Sequence, residues 1–253
     1  MSLSVIHSNN MAVAAMAQGK YAEAYDMLRM VLSELKHLQE DAEPQQGKVR
    51  ILDHQYSCAE ISSVILPSSL SCSAATSGDD CPFEVYNRAL VVQLIGGSMA
   101  PTSYDEDDDP MQDITATTSN YNDQRQTVRG KVGLCVLYNM GLCFQLLSNH
   151  EVALKFYQSV LEMADTVQVE QEVDCEEDYE DDALLAVLAS LHNMTCIHIL
   201  SCDYSRAAVG HKMLLDCLST VDTVICLSEE DGFFFEMMGF FHPTWKLSTA
   251  PAA

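Results

Sequence analysis

The chain has 253 residues, with 37 acidic side chains against 13 basic ones and a formal net charge of −24. That length buries a sizeable core as one long domain or two short ones. The charge excludes counterion-driven binding to nucleic acid and docking on an anionic membrane, and leaves a basic or purely apolar partner. Ten cysteines without a Cys-x-x-Cys pair exclude a zinc ribbon and a thioredoxin-like motif. The opening "MSLSVIHSNN" has neither a basic n-region nor a long apolar h-region. An intracellular setting, cytoplasmic or nuclear, is therefore expected, with reduced thiols.

Residues 5–38 read as two amphipathic helices joined by a tight turn. Asn10-Met11 is followed by a small residue, Ala12, then by Gly19 at the turn, a ring at Tyr21, Ala24 and Leu32. Met11, Ala15, Leu28 and Val31 fall at helical spacing and are expected to face the partner helix. Gly19 supplies a positive backbone angle at the end of the first helix at little cost.

Residues 39–128 read as an insertion, expected to be partly disordered, with Ser/Thr-rich "SSLSCSAATSGDD" and acidic "SYDEDDDP". Its persistently apolar piece, "CPFEVYNRALVVQLI", is rich in β-formers at Val85, Leu90, Val91, Val92 and Ile95, and a strand is expected over 83–95. Ser103 precedes acidic residues in the manner acidophilic kinases favour.

The first pattern returns at 129–167 and again at 183–221. Asn139-Met140, Gly141, Ser148, His150, Ala153 and Leu161 repeat the spacing, as do Asn193-Met194, Thr195, Cys202, Tyr204, Ala207 and Leu215. Ser148 and Cys202 lack glycine's freedom, so those two turns are expected to be made in another way. Between the two copies, 168–182 reads as a solvated acidic loop. Calcium loops started at Asp174 or Asp105 would put Tyr179 or Pro110 where glycine is needed, and neither is expected to bind. Ala183 to Leu200 is uncharged over its whole length, but His192, Asn193, Thr195 and His198 interrupt it. It reads as a buried helix rather than a membrane span.

These three copies resemble the tetratricopeptide repeat (TPR), a 34-residue helix–turn–helix module. In the second copy the matching residues are Met140, Gly141, Phe144, His150, Ala153, Tyr157 and Leu161. The early Trp of that pattern is replaced by Ser8, Leu137 and Leu191, and its terminal Pro is missing. The resemblance implies an all-α fold, an α-solenoid fragment of TPR-like helical hairpins. Residues 222–253 read as an aromatic capping tail, in which "GFFFEMMGFF" is expected to pair or pack with the 83–95 strand as a small β element. The alternative is an exposed aromatic docking segment ending at Trp245.

The sequence carries no Gly-x-Ser-x-Gly elbow, P-loop, dinucleotide turn or His-Glu-x-x-His, so no catalytic residue, cofactor or metal is assigned. First helices line the concave face in the family resembled. Carried over, the groove positions are Asn9, Asn10, Val13, Tyr138, Asn139, Leu142, Gln145, His192, Asn193 and Cys196. They include no Lys or Arg, which disfavours capture of a C-terminal carboxylate. The expected function is a non-catalytic protein–protein interaction module that binds a peptide or partner helix, with the asparagines either clamping a backbone or satisfying the array itself. Equally, the insertion or the tail could fill the groove in cis. The rival is a helical-hairpin enzyme or metal binder using His192, Cys196 and His198.

Overall fold

The computed structural model describes residues 3–40, 56–66, 85–96, 114–171, 181–220 and 227–240. In chain order these form α1 (Leu3–Ala17), α2 (Tyr21–Glu40), β1 (Tyr56–Ile65), β2 (Arg88–Gly96), α3 (Ile114–Leu146), α4 (His150–Gln171), α5 (Asp181–Leu200), α6 (Tyr204–Thr220) and α7 (Glu229–Phe240). The fold is mostly helical with one small sheet. Ser103, the candidate calcium loop at Asp105 and Trp245 lie outside the described residues, as does most of the loop at Asp174.

Two kinds of helix make up three successive hairpins. The second helices bury one narrow stripe each: Tyr21, Ala24, Leu28, Val31 and Leu35 on α2, Ala153, Tyr157, Val160 and Ala164 on α4, and Ala207, His211 and Leu214 on α6. That spacing gives a helix covered on one side. The middle first helices are different. From Lys131 to Cys143 every residue of α3 is buried, and α5 is buried almost as completely from Leu185 to Ile197. A helix apolar all round needs neighbours all round, and α3 finds α2, α4, α5, α1 and the sheet. The same requirement explains α5, which by length and composition could cross a membrane but has 67% of that window buried inside the protein.

Hairpin one packs on hairpin two through α2 against α3, and hairpin two on hairpin three through α4 against α5. A ring cluster fills the first junction: Tyr25 meets Phe144 edge-on at 4.7 Å, and Phe144 stacks on Phe156 at 5.7 Å. Close helix crossings use small residues, although not always those expected. A Cβ on Gly141 would stand 2.7 Å from the Tyr157 ring, whereas in hairpin three Gly210 of α6 makes room for Thr195. Met11, expected against the partner helix, is exposed. So is Tyr204, while Tyr21 does fill the corner by its turn.

All three turns are built alike, which corrects the expectation for Ser148 and Cys202. Their φ values are 59° and 56°, beside 75° for Gly19. In each turn the N–H of that residue reaches back three positions, to Met16 O, Gln145 O and Ile199 O, at 2.8–2.9 Å. The following N–H reaches back five positions, to Ala15 O, Phe144 O and His198 O, at 2.8–3.0 Å. This paired helix-end bonding satisfies carbonyls that would otherwise be orphaned. It offsets a left-handed cost of roughly 1–2 kcal/mol for a residue with a Cβ.

The sheet is an antiparallel pair with Ile61 opposite Val92, Ser63 opposite Leu90 and Ile65 opposite Arg88. A strand is present where one was expected, but its anticipated pairing with Gly232–Phe241 does not form. The partner of β2 is β1, and Glu229–Phe240 is helix α7. Ser228 caps the start of that helix: Asp231 N–H donates to Ser228 Oγ at 3.2 Å, and Ser228 Oγ donates to Asp231 Oδ2 at 2.7 Å. The tail does pack on the insertion segment, because Phe234 and Phe235 lie against Tyr86 with ring centroids 5.0 Å away in each case.

Candidate functional site: the groove and its occupant

The β hairpin packs against α1, α3 and α5. Alternate residues of a strand direct their N–H and C=O to the same edge. In β2 the odd residues face β1, as Asn87 O does in accepting Leu66 N–H at 3.0 Å. The even residues face the helices, where no third strand pairs with them among the described residues. A buried, unpaired strand edge is costly.

Three asparagines in the same place on three helices take up that edge. Asn10 of α1 accepts Val92 N–H at 3.1 Å and donates to Val92 O at 2.9 Å. Asn139 of α3 does the same for Leu90, at 2.8 and 2.7 Å. Asn193 of α5 does so for Tyr86, at 3.0 and 3.2 Å. A carboxamide carries one acceptor and two donors on one short stem, which matches the donor–acceptor pair of an extended residue. Arg88, the even residue between Tyr86 and Leu90, has its carbonyl 3.1 Å from the Tyr138 hydroxyl, which also lies 3.2 Å from Tyr86 O. Asn9 reinforces the centre by donating to Leu90 O at 3.2 Å, and its own Oδ1 accepts from Asn139.

The side chains on the even face enter a second set of contacts. Leu90 and Val92 are fully buried. Asp231 of α7 is 1% exposed and receives the Tyr86 hydroxyl at 2.7 Å, Ser63 Oγ at 2.9 Å, Ser228 Oγ at 2.7 Å and an Arg88 N–H at 3.1 Å. Arg88 also reaches the exposed Glu230 at 3.0 Å. One carboxylate thus joins β1, β2 and α7. Neither Ser63 nor Asp231 was legible as a site residue, although the Ser-x-x-Asp capping signal was present in "SEED".

Of the groove positions read from sequence, Asn9, Asn10, Tyr138, Asn139 and Asn193 converge on one strand. Val13 and Leu142 are core residues. Gln145 accepts the Tyr157 hydroxyl at 2.6 Å, and its amide nitrogen meets no acceptor among the described residues. His192 Nε2 sits 3.4 Å from Cys196 Sγ, and the imidazole packs edge-on against Phe234 at 5.1 Å. His198, whose pKa is lowered by partial burial, does not complete a set with them: among the described residues no three His, Cys, Asp or Glu side chains converge as a metal site requires.

Burial pushes the Tyr86, Tyr138 and Tyr157 phenols well above their ordinary value, and the Asp231 charge adds to the effect at Tyr86. Burial also pushes the Cys143 thiol up to about 12. An acid whose folded pKa is raised contributes stability that is whole below its unfolded value, near 10 for tyrosine, and is lost as pH rises toward the folded value. Each phenol is therefore expected to remove up to about 1.4 kcal/mol per pH unit above pH 10. Urea melts between pH 8 and 11.5, followed with phenolate absorbance, check this. Unchanged stability across that range would refute the assigned burial.

No family model, curated protein or solved structure matches this chain.

Proposed function

We propose that the chain is a non-catalytic protein-interaction module, built on three TPR-like hairpins, whose concave groove receives an extended polypeptide segment by its backbone. Strand β2 is its resident occupant in cis. One observation carries the reading: Asn10, Asn139 and Asn193 each make a donor–acceptor pair with the main chain of Val92, Leu90 and Tyr86. Main-chain pairing of this kind supplies affinity without demanding a particular sequence. The single stripes of α2, α4 and α6 and the common turn geometry support the repeat assignment. A reducing, intracellular setting goes with the reading, since the side chains of Cys135, Cys143 and Cys196 are buried in the helical core.

Binding in trans requires the cis strand to yield. Full-length protein carrying Leu90→Asp places a carboxylate at a fully buried position and so weakens β2 in the groove. A fluorescent peptide of sequence VYNRALVVQ, copied from Val85–Gln93, is expected to bind this variant and to bind the wild type far more weakly. Adding Asn10→Ala removes two hydrogen bonds and is expected to weaken that binding about tenfold. No binding by a Leu90→Asp protein of unchanged helicity would refute the groove as a receptor.

A further inference from the structure

The resident strand also carries a side-chain pattern, and the groove answers it position by position. At Tyr86 the ring packs against both Phe234 and Phe235, which also touch each other, with its hydroxyl donating to buried Asp231. At Arg88 the guanidinium meets the same carboxylate and Glu230. At Leu90 and Val92 the side chains are sealed from water. The odd positions do not face α7: Asn87 is half-buried and donates to Leu66 O of the hairpin itself at 3.3 Å, Val91 is half-buried and Gln93 is exposed. Ala89, which is buried, asks only for a small residue.

Resting on the groove reading above, we propose that the partner is an extended peptide segment with a hydroxylated aromatic, a cation and two aliphatic side chains at alternate positions, Tyr-x-Arg-x-Leu-x-Val. Backbone pairing holds such a segment, and α7 selects it, because Asp231 and Glu230 accept from its first two side chains. The net charge of −24 draws a cationic segment and repels an acidic one. The partner competes with a tethered strand whose effective concentration is on the order of millimolar. A weak match therefore does not enter.

The test uses the full-length Leu90→Asp protein and three labelled peptides, read by fluorescence anisotropy. The first is VYNRALVVQ, the second carries Tyr86→Ala with Arg88→Glu, and the third carries Asn87→Ala with Val91→Thr. The first and third are expected to bind alike, and the second at least tenfold more weakly. Equal binding of all three overturns the pattern while leaving a backbone-reading groove in place. Failure of all three overturns the groove as well. If Leu90→Asp loses its helicity, the wild type is used instead, with hydrogen exchange at the Leu90 and Val92 amides as readout. There the first peptide in excess speeds exchange and the second does not, and no acceleration by the first overturns the proposal.

Discussion

Replacing Asn139 with leucine is expected to lower the free energy of unfolding by about 3 kcal/mol, although the two side chains are similar in size and leucine is the more apolar. The loss falls on the strand rather than on the helix. Leu90 N–H has Asn139 Oδ1 as its acceptor, and Leu90 O has Asn139 and the longer contact from Asn9 as its donors. Without the carboxamide a buried donor loses its partner and the carbonyl keeps only the weaker one, and each such group costs roughly 1–3 kcal/mol. Asn9 Oδ1 is stranded as well, because Asn139 is its donor. For a chain of this size the shift in Tm is expected to be about 6–12 °C. Urea unfolding gives the energy, and hydrogen exchange at the Leu90 amide locates it. A change below about 0.5 kcal/mol, the level of an ordinary surface substitution, would mean that the strand edge is satisfied in another way.

Asp231→Ala is expected to cost as much or more, about 3–5 kcal/mol, and to free the C-terminal helix. The carboxylate is buried, and its removal leaves Arg88, 16% exposed at its side chain, to the solvated Glu230 alone. The Tyr86 hydroxyl and Ser63 lose their acceptor together. Glu230→Ala is the control, since an exposed ion pair is worth roughly 0–1 kcal/mol. Asp231→Asn divides the effect, because it keeps an acceptor for Tyr86 but removes the charge facing Arg88. If thermal melts place all three variants together, the four-donor carboxylate is not what binds α7 to the hairpin.

Much of the architecture was legible because packing leaves periodic marks. Ala24, Ala153 and Ala207 are all fully buried at one register, and their stripes continue through Leu28, Tyr157 and His211. The turn at Gly19 was readable from its glycine. Those at Ser148 and Cys202 were not, because the helix-end hydrogen bonds that offset a left-handed residue lie in the backbone. "GFFFEMMGFF" has a strand's composition, yet it lies in a helix that begins at a serine cap just before it. The partner of β2 was hidden for a related reason: β1, "YSCAEISSVI", is rich in serine, and Ser63 is used on Asp231 rather than on an apolar face.

The candidate site divides along the same line. Asparagines at matched positions on three helices stand out because a carboxamide amid apolar neighbours needs a partner. Their occupant does not stand out, since a main chain has the same donors and acceptors whatever residues it carries. Only the even-face side chains, Tyr86 and Arg88 above all, label the strand as belonging there, and their counterpart Asp231 arrives from a helix far along the chain.

The covered edge of β2 has a consequence for solubility. "ALVVQLI", Ala89 to Ile95, combines high β propensity with no charge and no proline, the signature of a segment that stacks into cross-β fibrils. Carboxamides of α1 and α3 occupy the hydrogen-bonding margin along which a second copy of that segment would add. Held in this way, the stretch has its main-chain donors and acceptors engaged within the fold and presents no free edge there for intermolecular pairing.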